Sequence, residues 1–298
     1  MKDFNRTIKM LLLLGGFAVL ANSCTKKEAV LTPTTTPEPG FKIPQGNHDY
    51  DQRIVSYYNR WGTYVLYKFS QQDIAWQVTK NDIIYTSVPA DTLYINQQLN
   101  LIESTFFKYY ADSTLRKYLP AKFFLCSSLI FSKVQRNAYM LPFTNGNFGG
   151  VGSFAASGGN STISTIDPAV YRADLNFSFL KMMDLQFKMS ESTVFLGTSD
   201  YTTAITGTQA DRYKRGFLGV TSAVPASSVD WQSYIQAIVS NSYAFLTDPN
   251  TTAADVSNRG ILSPVKDVNG LVKRKYDAMI AYYKTQYNID LQAIGNGG

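Results

Sequence analysis

The segment from Asp167 to about Ser190 constrains the fold more than any other. Asp167-Pro168 marks a helix start, an aspartate cap followed by proline at the first helical position, where a missing N–H costs nothing. Behind it, Ala169 to about Ser190 includes Leu175, Phe177, Phe179, Leu180, Met182, Met183, Leu185 and Phe187. Apolar side chains on nearly every face leave no side for water, so this helix must lie inside a large core. The methionines are read as packing rather than as a metal or partner site.

Other segments supply what packs against it. Asp49 or Asp51 caps a helix whose apolar positions Ile54, Tyr57, Tyr58, Trp61 and Val65 keep the 3.6-residue period. Tyr64 to Phe69 is β-prone, and Ser70-Gln71-Gln72-Asp73 is a capping sequence ahead of Ile74 and Trp76. A second helix is expected from near Asp91, with Tyr94, Gln98, Leu101, Ile102, Thr105, Phe106 and Tyr109 along one stripe. Lys122 to Phe131 is a short apolar run after Pro120, read as a buried strand with Cys126 as an inert thiol inside it. Asp230 is expected to cap a helix carrying Trp231, Tyr234, Ile235, Ile238 and Val239. In the last helix, Leu271, Tyr276, Met279, Ile280 and Tyr283 form the apolar side; Lys273, Arg274, Lys275 and Asp277 are read as a solvated face.

Asn145 to Asn160 holds Gly146, Gly149, Gly150, Gly152, Gly158 and Gly159. A phosphate cradle needs GxxxxGK[ST], or GxGxxG between strand and helix, and neither pattern is present. The segment is read as a flexible surface loop, as is the Thr-rich stretch from Asp200 to Asp211.

The N-terminus carries an address. Lys2, Arg6 and Lys9 precede the eleven-residue apolar run Met10 to Leu20, too short for a membrane span of roughly 20 residues. It suits the h-region of a secretory signal. Ala21-Asn22-Ser23-Cys24 then resembles a bacterial lipobox, with Ala21 standing where Leu is preferred; Cys24 would be acylated and become the new N-terminus. Thr32-Pro33-Thr34-Thr35-Thr36-Pro37-Glu38-Pro39-Gly40 cannot build a core and reads as a tether. The expected organisation is a leader over 1–23, a Pro/Thr-rich tether over 24–46 and one folded domain over 47–298. Losing Lys2, Arg6, Lys9 and Asp3 with the leader lowers the net charge from +6 to +4, too mild and dispersed to argue for nucleic acid.

One histidine and two cysteines exclude much chemistry. They cannot make HExxH, a four-cysteine zinc site or a framework of several disulfides. The histidine, His48, lies in Gly46-Asn47-His48-Asp49 and is read as an exposed turn residue.

Several blocks together resemble the substrate-import-associated zinc metallohydrolase lipoproteins. They are Tyr50-Asp51-Gln52-Arg53-Ile54-Val55, Trp61 to Phe69, Trp76, Phe106-Phe107-Lys108-Tyr109-Tyr110 and Leu119-Pro120. Lys214-Arg215-Gly216-Phe217 follows, then Tyr282-Tyr283 and Asn288 to Leu291. The resemblance implies an α+β, zincin-like metallopeptidase-type domain, helix-rich with a small sheet. It also implies a lipid anchor in the outer membrane, on the periplasmic or cell-surface face, and a partner import complex with its peptide or glycan substrate.

The chain departs from that family at the functional motif. HExxH places two histidines on one helix face as zinc ligands, with the glutamate activating the metal-bound water. The aligned helix reads Leu180-Lys181-Met182-Met183-Asp184, so Leu180 and Asp184 replace the histidines and Lys181 replaces the base. A further acidic ligand is implied downstream, where Val229-Asp230-Trp231-Gln232-Ser233 puts Ser233. No metal or other cofactor is expected. Two readings follow. One is a non-catalytic binding or accessory lipoprotein. The other is a hydrolase using carboxylates or a non-standard metal site, with Asp167, Asp174, Asp184, Glu191, Asp200, Asp211 and Asp230 as candidate acids. Asp248-Pro249-Asn250 begins like a calcium loop but lacks the glycine and bidentate glutamate.

Overall fold

A computed structural model describes residues 41–74, 85–131, 133–141, 153–187, 189, 191–219 and 224–298. The leader, Cys24, most of the tether and Trp76 lie outside them. Residues 43–298 form one compact unit.

Helix α1 (Asp49–Trp61) starts at His48, whose backbone N–H donates to the Asp51 carboxylate at 2.9 Å. It stops at Trp61 because Gly62 takes a left-handed conformation (φ 78°) and returns its N–H to Tyr58. Val65, expected on this helix, therefore lies in strand β1 (Tyr64–Leu66). After α2 (Gln71–Ile74) and β2 (Tyr85–Pro89), Asp91 caps a 3₁₀ turn that leads into α3 (Ile95–Thr105). Helix α4 (Asp112–Tyr118) then precedes β3 (Lys122–Phe131), the long strand expected from the apolar run.

β3 organises the sheet. Its first half runs parallel to β1 and to β6 (Ser153–Ala156), and β5 (Ala138–Leu141) closes that side antiparallel to β6. Its second half pairs antiparallel with β2 and with β4 (Val134–Gln135). The mixed sheet orders β1-β3-β6-β5. Cys126 is wholly buried in β3, as expected.

The glycine-rich segment is more ordered at its end than its composition suggests. Ser153–Ala156 is strand β6, and Gly158 and Gly159 are buried. The cause is Gln98 on α3, whose amide donates to the carbonyls of Cys126, Ala156 and Ser157 at 3.1 Å each. A Cβ at Gly159 would run into Gln98 and Ala90, so the chain passes there only as glycine. Gly146, Gly149, Gly150 and Gly152 lie outside the described residues.

Helix α5 (Pro168–Phe187) is capped as expected, Asp167 accepting the Ala169 N–H at 2.8 Å. It is followed by α6 (Thr193–Leu196) and by α7 (Gln209–Lys214), which the Thr208 and Asp211 capping pair starts inside the expected loop. Then come α8 (Ser227–Ser240), α9 (Tyr243–Thr247), α10 (Leu271–Tyr287) and α11 (Leu291–Asn296). The α8 start corrects an expectation: Ala226 is the cap, and Asp230 sits buried one turn inside.

The core fills between sheet and helices. Phe106 packs edge-on against Phe179 at 5.2 Å and stacks with Phe154 at 5.8 Å, joining α3, α5 and β6. Tyr110, Phe107 and Phe123 complete this cluster. Aromatic pairs of this kind add about 0.5–1.5 kcal/mol each beyond area burial. The all-apolar helix α5 is thus central, with Leu175, Phe179, Leu180, Met182 and Met183 fully enclosed.

Candidate functional site

Helix α5 packs on α8, and the four positions aligned with the metal and base residues lie on these two helices. Leu180 is fully buried and presents only carbon. Lys181 is half-buried with its Nζ 6.0 Å from the Phe177 ring centroid. Asp184, one turn on, is half-buried and faces Gln232 of α8. The Ser233 hydroxyl donates to the Val229 carbonyl, 2.8 Å away in its own helix. Ser and Thr do this inside helices because the carbonyl one turn back is their nearest acceptor.

Asp184 has an environment of its own. Burial holds its carboxyl above the ordinary value, the Gln232 amide works against that, and the negative charge of Glu191 adds to it. Beneath lie Trp231 and Tyr283, ring centroids 5.9 Å apart. Trp231 Nε1 and Tyr283 Oη are buried without a hydrogen-bond partner among the described residues. Burial, and next the nearby Asp184, push the Tyr283 phenol up.

These side chains do not fit zinc. A zinc site needs three or four N, O or S donors converging at about 2.0–2.3 Å. Leu180 has no donor, Lys181 repels a cation, and the Ser233 hydroxyl is committed to its own helix. Asp184 alone remains. No group of three or more His, Cys, Asp or Glu able to hold a metal occurs among the described residues. His48 is far along the chain at the α1 cap, stacked on Tyr50 at 4.9 Å.

Of the candidate acids, four serve local structure. Asp167 caps α5, and Asp174 accepts the Asn137 amide at 2.8 Å. Asp200 accepts Thr202 and Thr203, and Asp211 belongs to the α7 capping pair. Those hydrogen bonds hold the Asp200 carboxyl below the ordinary value and bring that of Asp211 down to about 2. Asp248 closes a turn with Asn250 and pairs with Arg259 at 2.8 Å. Of the remaining three, Glu191 is close enough for its charge to act on both Asp184 and Asp230.

Asp230 brings in a residue placed wrongly from sequence. Lys275 was expected on a solvated face, yet it is fully buried and pairs with Asp230 at 2.6 Å. A signal for this was present: Val272, Lys275, Tyr276, Met279 and Tyr283 share one helical stripe, and Lys275 falls inside it.

The class this architecture defines is an α+β fold, helix-rich with a small mixed sheet. Among solved structures, the chain is similar to the 2.10 Å crystal structure of a candidate zinc-binding metallo-peptidase from Bacteroides caccae ATCC 43185. The TM-score is 0.50 and identity 14%, covering 83% of this chain and 89% of that one, a likeness of fold alone. No family model matches the chain, and no curated protein matches it.

Proposed function

We propose that the protein is a membrane-tethered, non-catalytic relative of the import-associated zinc metallohydrolases, serving as a binding or accessory component of an outer-membrane nutrient-import system. The carrying observation is the chemistry of the four aligned positions. Leu180 is carbon packed in carbon, Lys181 carries the wrong charge, and Ser233 spends its hydroxyl within α8. Burying polar ligands without their metal would cost several kcal/mol, so a vacated site is stabilised when apolar groups fill it. Leu180, fully buried at a ligand position, does this here. The leader-like N-terminus, Cys24 and the Pro/Thr-rich stretch supply the tether in this reading. The partner would be an import complex handling peptides or glycans. The test is elemental analysis of protein purified without chelators. Zinc far below one per chain is expected; a full equivalent would sink the reading.

A hydrolase working with carboxylates is the second reading, favoured by Asp184 being held toward its protonated form beside Glu191. Peptide or glycan hydrolysis by the purified protein, abolished by Asp184→Asn, would select it over the first.

A further inference from the structure

Lys275 and Asp230 meet in a chamber sealed from solvent. Lys275 Nζ lies 2.6 Å from Asp230 Oδ2 and donates to the Gly216 carbonyl at 3.0 Å. The rings of Phe217, Phe195, Tyr201 and Tyr234 close around the nitrogen, with centroids 4.3, 4.8, 5.0 and 5.7 Å away. Tyr201 Oη donates to Asp230 Oδ2 at 2.8 Å. Asp230 Oδ1 has no hydrogen-bond partner among the described residues. Glu191, half-buried, is near enough for its charge to act on both Asp230 and Tyr201.

An ion pair is costly in such a place, because both charges lose their water and one carboxylate oxygen gains nothing in return. Burial moves both partners toward their neutral forms: it raises the Asp230 carboxyl and lowers the Lys275 ammonium, as the leading cause in each case. Passing one proton across the contact yields a neutral amine facing a neutral acid. A desolvated lysine amine is a competent nucleophile.

We propose that Lys275 and Asp230 become joined by an intramolecular amide bond. Nζ attacks Asp230 Cγ, and the bond from Cγ to Oδ1 breaks. Oδ1 leaves as water, carrying the acid's proton and a second that passes to it from the nitrogen. Ammonium and carboxylate become secondary amide and water, with no oxidant, reductant or cofactor. The product reuses the hydrogen bonds of the chamber. The amide N–H keeps the Gly216 carbonyl, the amide oxygen Oδ2 keeps the Tyr201 hydroxyl, and the unpartnered Oδ1 is gone. The bond would staple α8 to α10 in a folded unit whose one cysteine, Cys126, leaves no second thiol for a disulfide. It does not depend on what the protein binds.

The full chain, purified with detergent, is unfolded in guanidinium, digested with trypsin and weighed by mass spectrometry. A branched peptide is expected, joining residues 216–259 to residues 275–284 and lighter than the two by one water. Trypsin should fail to cut after Lys275. Lys275→Met should remove the branched species. Wild-type protein yielding only the free peptide 276–284 overturns the proposal, whether or not the variant folds.

Discussion

The hydroxyl of Ser233 and the carbonyl of Val229 are hydrogen-bonded at 2.8 Å, one turn apart on α8. In the proposed reading, that bond occupies the side chain aligned with the third metal ligand of the zinc metallohydrolases. Leu180 and Lys181 on the facing helix α5 are no better suited, one packed in the core and one cationic. Asp184 keeps a carboxylate there, turned to Gln232.

Asn176 is a polar pin in the apolar helix α5. Its amide donates to the Thr105 and Arg172 carbonyls at 2.8 and 2.7 Å and accepts the Tyr110 hydroxyl at 2.8 Å. Asn176→Ala would leave buried partners unpaired, each costing about 1–3 kcal/mol. Urea unfolding should show a loss of about 3 kcal/mol; a change under about 0.5 kcal/mol, typical of a surface substitution, would contradict this role.

Asp184 should make stability depend on pH in a definite sense. Its carboxyl in the folded chain is raised above 3.8 by burial, so the folded form holds the proton more tightly than the unfolded form. Stability therefore falls as pH rises from 3.8 through the folded-state value, and the cost is complete above it. Asp184→Asn removes the titrating charge. Thermal melts should show the variant more stable than wild type at neutral pH, with the gain vanishing below pH 3.8. A gain that grows on acidification would reverse the assigned cause.

Cys126 should be chemically silent. It is fully enclosed in β3, and burial pushes its thiol up, so little thiolate forms and no reagent reaches it. Peptide mapping after alkylation should find Cys126 unmodified in native protein and fully modified after unfolding in guanidinium. Rapid labelling of the native chain would contradict its burial.

In the proposed lipoprotein reading, the tether rests on Cys24. Two or three acyl chains on one cysteine anchor durably, since each buried methylene adds about 0.8 kcal/mol. Cys24→Ala should move the protein from the membrane fraction to the soluble one. Retention in the membrane would remove the lipobox reading.

Much of the fold was legible because local and global signals agreed. Asp167-Pro168 placed the start of α5 to the residue, and its all-round apolar character placed it in the core. The Lys122–Phe131 run gave β3 end to end. What escaped depended on partners remote in sequence. Ser153–Ala156 is too short and too small-sided to announce a strand; it becomes one by pairing with β3. Gly158 and Gly159 are buried because Gln98 reaches across to the carbonyls around them. Lys275 looked solvated because it is charged, and only Asp230, 45 residues away, accounts for its burial. At the candidate site, the residue types were readable, but the bond of Ser233 to Val229 and the pairing of Asp184 with Gln232 were not.

Zinc titration by calorimetry tests the proposed loss of a zinc site most directly. Wild-type protein is set beside the variant Leu180→His, Lys181→Glu, Asp184→His, Ser233→Glu, which restores the ligand types that zinc prefers. Wild type should show no saturable binding, and the variant should take up one zinc per chain. Saturable one-to-one binding by wild type, no weaker than that of the variant, would contradict the loss of the zinc site.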